Sequence, residues 1–181
     1  IARAERRQGR SDNPGIDALT FVGSTRVAKL VYTRATSHLK RALCLGGAKN
    51  HLIVLPDAHE DMTASNVAAS MSGFAGQRCM AASAMVAVGN VDNIIKKLCD
   101  EARKIIPGKN LGAVISKKAE ERIEGYITEA EKQGAKVLVD GRNFVVEGKE
   151  EGYYVGPTVI DYVRPDMRIA QEEVFGPVLA I

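Results

Sequence analysis

Ala18-Leu19-Thr20-Phe21-Val22-Gly23-Ser24-Thr25 is a short apolar run that stops at a Gly-Ser-Thr turn. The residues after it, Val27, Leu30, Val31 and Ala35, recur at helical spacing. Strand, tight turn and helix in that order aim the first N–H groups of the helix at whatever lies over the turn. Such groups suit an anion. Gly and Ser at one such turn are also common punctuation, so the fold rests on whether the unit recurs. His51-Leu52-Ile53-Val54-Leu55 reads as a buried strand stopped by Pro56-Asp57. Asp61 is placed to cap a helix running to about Gly73, with Val67, Ala68 and Met71 inward. Met71 and Phe74 read as core. Ala84-Met85-Val86-Ala87-Val88 is the next strand. Asp92 opens a helix striped by Ile94, Ile95, Leu98, Ala102 and Ile105, ended by Pro107-Gly108. Ser116 caps another, with Ile123, Ile127 and Ala130 inward and Gly134 at its end. Lys136-Val137-Leu138-Val139 and Val178-Leu179-Ala180-Ile181 are strands. Residues 144–155 break the rhythm as a hairpin or an excursion, with Gly148 and Gly152 at its turns. The alternation predicts an α/β fold with a largely parallel sheet flanked by helices.

Composition narrows the function classes. The chain has 181 residues, 45% of them hydrophobic and 26% charged, with a net charge of +3, which is ordinary for a globular protein. Arg3, Arg6, Arg7 and Arg10 face one acid, Glu5, in an arm without interleaved aromatics. That is a solvated face rather than a nucleic-acid footprint. No apolar run approaches the ~20 residues of a membrane span, and no signal peptide is visible. Neither nucleic acid nor membrane is an expected partner. Cys44, Cys79 and Cys99 are odd in number and lack CxxC spacing, and His38, His51 and His59 do not cluster with them. This argues for a reducing compartment and against a disulfide scaffold or a metal site. The sequence starts at Ile1 and stops inside an apolar run, as a piece of a longer chain would.

The stretch Gly73-Phe74-Ala75-Gly76-Gln77-Arg78-Cys79-Met80-Ala81 sets a cysteine among small residues. Gly73 and Gly76 allow a sharp turn and a close ligand approach. A thiol there acts as a nucleophile if it is accessible and held as thiolate; otherwise it is a small buried apolar residue. Cys99 lies beside a helical stripe and reads as structural.

Four blocks, taken together and in order, resemble aldehyde dehydrogenases: Phe21-Val22-Gly23-Ser24-Thr25, Gly47-Ala48-Lys49-Asn50, Gly76-Gln77-Arg78-Cys79 and Glu172-Glu173-Val174-Phe175-Gly176-Pro177-Val178. The resemblance runs from about Asn13 to the last residue. It implies that Cys79 is the catalytic thiol, attacking an aldehyde to form a thiohemiacetal and then a thioester, with its own N–H helping to hold the oxyanion. It implies NAD as cofactor. Gly23 and Ser24 would meet its pyrophosphate, Glu173 its nicotinamide ribose, and Phe175 would pack near the nicotinamide. It divides the chain into an uncertain basic segment (1–12), the end of a Rossmann-like nucleotide-binding domain (13–44) and an incomplete catalytic domain (45–181).

One departure bears on the reaction. Hydrolytic members carry a glutamate 34 residues before the cysteine, which activates water against the thioester. Here that position is Leu45, or Cys44 if the register slips by one. Neither acts as a general base, so a stronger nucleophile such as the thiol of coenzyme A must release the acyl group. Gly-Ala-Lys-Asn-His at 47–51 and Gly-Gln-Arg-Cys-Met-Ala at 76–81 are similar to the CoA-acylating branch that oxidises malonate and methylmalonate semialdehydes, with loss of CO2. Arg78 would hold the substrate carboxylate; the alternative is a surface ion pair. The resemblance implies a small-molecule semialdehyde substrate, a homodimer or homotetramer, and a bacterial cytoplasmic or mitochondrial matrix location. A hydrolytic aldehyde dehydrogenase and a non-catalytic piece remain the alternatives.

Overall fold

The computed structural model describes Gly9 and residues 11–181. The basic arm of Arg3, Arg6, Arg7 and Arg10 lies outside the described residues. Those up to Gly47 form one compact unit and Ala48–Ile181 form another.

The first unit is β1 (Ala18–Val22), α1 (Thr25–Ser37) and β2 (Arg41–Leu45). β1 and β2 pair in parallel, Ala18 opposite Arg41 through Val22 opposite Leu45. The sequence pattern missed β2, because only Ala42 and Cys44 of its five residues turn inward and no long apolar run marks it. In α1 the buried residues are Ala28, Val31 and Ala35. Leu30 is exposed, contrary to expectation. The i, i+3, i+7 register that starts at Ala28 leaves Leu30 on the opposite face.

The second unit runs β3 (His51–Val54), α2 (Glu60–Ser72), a 3-10 turn (Gly73–Gly76), β4 (Ala84–Ala87), α3 (Asp92–Arg103), α4 (Lys117–Lys132), β5 (Lys136–Val139), β6 (Thr158–Asp161), α5 (Arg168–Gln171) and β7 (Val178–Ala180). Its sheet has the order β3-β4-β7-β6-β5. Every pairing is parallel except β5 with β6. Strand alternation divides the core into two layers. Val159 and Leu179 point toward α2 and α3, into a cluster with Met71, Leu98 and Ala102. Their neighbours Ile160 and Val178 point the other way, into a cluster with Ile123, Ile127 and Val174 on the α4 side. Each such side chain contributes about 1.5–3 kcal/mol of hydrophobic stabilisation.

Two local expectations change. His59, not Asp61, caps α2: its Nδ1 accepts from the N–H of Met62 at 3.4 Å. Asp61 lies inside the first turn and pairs with Lys97 at 2.7 Å. Residues 144–155 form turns without a strand, so the break is an excursion and not a hairpin. The cap at Ser116 forms as expected, its hydroxyl accepting from Ala119 N–H at 3.2 Å.

Candidate active site

The site in the second unit begins where α2 ends. Phe74, Ala75 and Gly76 all adopt left-handed backbone, with φ of 59°, 53° and 66°. Each non-glycine residue in that region costs roughly 1–2 kcal/mol, so the turn persists only because its surroundings hold it. Gly76 shows what does. A Cβ there would lie 2.0 Å from the carbonyl oxygen of Gly176. The backbone of the thiol loop therefore touches the backbone of the Phe175-Gly176-Pro177 segment. Gly176 in turn has no room for a Cβ, which would lie 2.7 Å from the Ile123 side chain of α4. Two glycines thus bring together blocks a hundred residues apart in sequence. Phe74 is 80% exposed, which corrects its reading as core. The left-handed turn throws its ring outward.

Side chains then fix the loop by its backbone. The Gln77 Oε1 accepts from Ile115 N–H at 2.9 Å, and its Nε2 donates toward Ala113 and Phe74 carbonyls at 3.4 and 3.3 Å. Asn50 donates from Nδ2 to the carbonyls of Cys79 at 2.6 Å and Ala81 at 3.0 Å. Ser70 accepts from Ala82 N–H at 3.1 Å. Cys79 itself is exposed. A thiol on a loop tied at several points and exposed to solvent has the accessibility that a nucleophile needs. Cys99 is buried, and burial pushes its thiol pKa up, which leaves it inert as expected. Cys44 lies half-buried in β2 of the other unit.

Arg78 is exposed and turns back onto α2. Its Nε donates to the carbonyl of Gly73 at 3.1 Å and its Nη2 to that of Ser70 at 2.7 Å. These bonds satisfy carbonyls at the helix end and place a cation at its negative pole. Among the described residues these bonds use two of the five guanidinium donors.

Glu173 lines a small cavity with Asn50, Arg78, Ser83 and Phe175. Among the described residues it makes no hydrogen bond or ion pair, while the Oε2 of Glu172 beside it is held by both Tyr126 and Arg168. Phe175 is left-handed at φ 54° and 39% exposed. Lys49 has a buried Nζ without a hydrogen-bond partner. Burial lowers its pKa to about 8, opposed by the Glu173 charge. A hollow of about 670 Å³ lies elsewhere, between α4 and residues 143–153.

Gly23 and Ser24 stand in the first unit. A Cβ on Gly23 would meet the tip of the Phe21 ring at 2.7 Å, so a side chain there would push that ring aside. Ser24 is the N-cap of α1, yet its hydroxyl makes no cap bond, and the first turn carries no acid. An uncompensated helix start with a free hydroxyl suits an anionic ligand.

Sequence reasoning assigned no positioning role to Gln77, Asn50, Tyr126 or Glu172. Gln77, Asn50 and Glu172 sat inside the quoted blocks, whereas Tyr126 lay outside them. All four act through backbone carbonyls or a distant helix, which leave no local pattern.

The chain belongs to the aldehyde dehydrogenase family, whose model matches residues 4–181. It is 40% identical to the human methylmalonate-semialdehyde/malonate-semialdehyde dehydrogenase [acylating], mitochondrial, covering 94% of this chain and 33% of that protein. It is 44% identical to malonate-semialdehyde dehydrogenase 1 of Geobacillus kaustophilus, over 94% of this chain and 36% of that one. Among solved structures, a Sinorhizobium meliloti protein complexed with NAD superposes with a TM-score of 0.93 at 41% identity, over 98% of this chain and 38% of the other. Methylmalonate-semialdehyde dehydrogenase from Oceanimonas doudoroffii gives 0.89 at 42% identity, over 94% and 36%. The chain thus spans about a third of the length of these relatives.

Proposed function

We propose that this chain carries the thiol half of an NAD-dependent, CoA-acylating malonate or methylmalonate semialdehyde dehydrogenase. The observation that carries the reading is the exposed Cys79 on a locked loop whose neighbour Arg78 lines a small cavity with Glu173, a carboxylate that makes no hydrogen bond or ion pair among the described residues. The names of the relatives support the same substrate class. Residues up to about 44 would close the nucleotide-binding domain, and those from 45 onward would form much of the catalytic one.

The residues present fit NAD. Ser24 and the start of α1 would meet the pyrophosphate, Glu173 would accept hydrogen bonds from the nicotinamide ribose, and Phe175 would pack near the ring. NAD, when bound, supplies the hydride acceptor that turns the Cys79 thiohemiacetal into a thioester. The chain does the rest. The loop held by Gln77 and Asn50 presents the Cys79 sulfur to the aldehyde carbon. The N–H of Cys79 donates to the developing oxyanion. The free guanidinium edge of Arg78 receives the substrate carboxylate. Without a carboxylate at Leu45, water attack on the thioester is slow, and the CoA thiolate displaces the Cys79 sulfur. Loss of CO2 gives acetyl-CoA or propionyl-CoA. The cysteine chemistry suits a mitochondrial matrix or bacterial cytoplasm, and the full assembly would be a homodimer or homotetramer.

The test is a mass measurement on a protein of the relatives' full length that contains this chain. With NAD and malonate semialdehyde, but no CoA, the peptide bearing Cys79 should gain an acyl group. Cys79→Ala should gain none and give no single-turnover NADH, whereas Cys99→Ala should behave like the parent. Single-turnover NADH from Cys79→Ala overturns the assignment.

A further inference from the structure

The adjacent acids Glu172 and Glu173 have opposite environments. Glu172 accepts a hydrogen bond from the Tyr126 hydroxyl of α4. It also pairs with Arg168 at 3.3 Å. Arg168 stacks over the Tyr126 ring, 4.3 Å from its centroid, and pairs with Glu129 of α4 at 3.0 Å. One helical turn earlier, Arg122 donates from Nη1 to the carbonyl of Val174. Val174 is buried, and Ile123 packs under Gly176. Apart from the backbone contact of Gly76 with Gly176, the side chains that anchor residues 172–176 come from one face of α4 or from Arg168, and among the described residues none of them bonds to the Glu173 side chain.

We infer that Tyr126, Arg168 and Glu172 form a latch that positions Glu173 for the dinucleotide, making Tyr126 a positioning residue for cofactor affinity. The inference rests on the reading of Glu173 as the ribose ligand. Its physical basis is preorganisation. A short helix of four residues, α5, ends at Glu172, and the chain then crosses to β7 through a left-handed Phe175. Such a crossing has few hydrogen bonds of its own. Without the latch, the Glu173 carboxylate would sample several positions, and binding would have to select one. Burial and the Glu172 carboxylate keep the phenol protonated, while Tyr126 and Arg168 hold Glu172 ionised. Donor and acceptor thus stay matched. Charge-assisted bonds are the stronger kind, so the effect is large enough to measure.

Two measurements test it. In the 181-residue chain without ligand, Tyr126→Phe removes one hydroxyl and should speed amide hydrogen exchange at residues 173–175 by about tenfold. Exchange in α2 should not change. In a protein of the relatives' full length that contains this chain, Tyr126→Phe and Glu172→Ala should each raise the NAD dissociation constant about tenfold by calorimetry, with kcat at saturating NAD within about twofold of the parent. The effect should vanish in a Glu173→Gln background, because a latch that acts through Glu173 has nothing left to position. Parent-like NAD affinity in Tyr126→Phe, beside a weakened Glu173→Gln, overturns the latch while leaving Glu173 as ligand. An undiminished loss in the Glu173→Gln background also overturns it, since the role is then general packing. Parent-like affinity in Glu173→Gln itself overturns the ribose reading and the latch with it.

Discussion

Lys49 is the one side chain of the site whose charge the fold opposes. Its ammonium is buried without a hydrogen bond, and its pKa falls from 10.5 to about 8. Below pH 8 both folded and unfolded chains carry the proton, and folding bears the full penalty, on the order of 3 kcal/mol. Between pH 8 and 10.5 the unfolded chain binds more protons, so stability rises with pH and the penalty fades. Lys49→Met should therefore raise the unfolding midpoint of the chain at pH 7 by several degrees. The gain should shrink above pH 8 and be gone near pH 10.5. A gain that does not vary with pH would mean that packing, not charge burial, separates the two. Arg78 poses the opposite case, a cation whose bonds to Ser70 and Gly73 carbonyls leave donors over. Losing a charge-assisted pair with substrate should cost about 2–4 kcal/mol in kcat/KM. Arg78→Ala should then hurt malonate semialdehyde far more than propanal. Equal losses on both substrates would assign Arg78 to the helix end alone.

At the scale of elements, the left-handed turn after α2 is the feature most open to attack. Gly76→Ala places a Cβ against the Gly176 backbone and keeps a positive φ. Strain and overpacking together should destabilise by about 2–5 kcal/mol, read from the denaturant midpoint. Gly125→Ala is the control. It sits in α4 with open space around it, and it should stabilise by about 0.5–1 kcal/mol. The same contrast explains what the sequence revealed. α4 was legible because Ser116, the Ile123 and Ile127 spacing and Gly134 all agree. β6 was not, although Val159 and Ile160 are fully buried, since four residues give no period to read. Phe74 was misread because an apolar residue after an apolar helix looks like core until the turn reverses it. Cys79, Glu173 and Phe175 stood out by block, but what holds them did not. Tyr126 reaches Glu172 across 46 residues and Asn50 reaches Cys79 across 29, separations that no local pattern records.

At the scale of the whole molecule, the proposed function turns on what would release an acyl group from Cys79. By the resemblance, the position where hydrolytic members carry their general base would be Leu45, at the end of β2, or Cys44 if the register slips by one. If no other group activates water, breakdown of the thioester limits turnover whenever CoA is absent. A protein of the relatives' full length that contains this chain should then show a burst of one NADH per active site, followed by a slow steady rate. CoA should accelerate that steady rate strongly and leave the burst amplitude unchanged. Leu45→Glu should raise CoA-independent turnover by roughly 10²–10⁴-fold, the effect of a positioned general base. The competing arrangement is a water activated beside Lys49 or Asn50, and Lys49 gives it substance, because an amine with a pKa near 8 is partly neutral at physiological pH. That arrangement has its own signature: rapid CoA-independent turnover in the parent, rising with pH around 8 and lost in Lys49→Met. Such a result would return the chain to the hydrolytic aldehyde dehydrogenases. A burst that only CoA relieves would place it with the acylating ones.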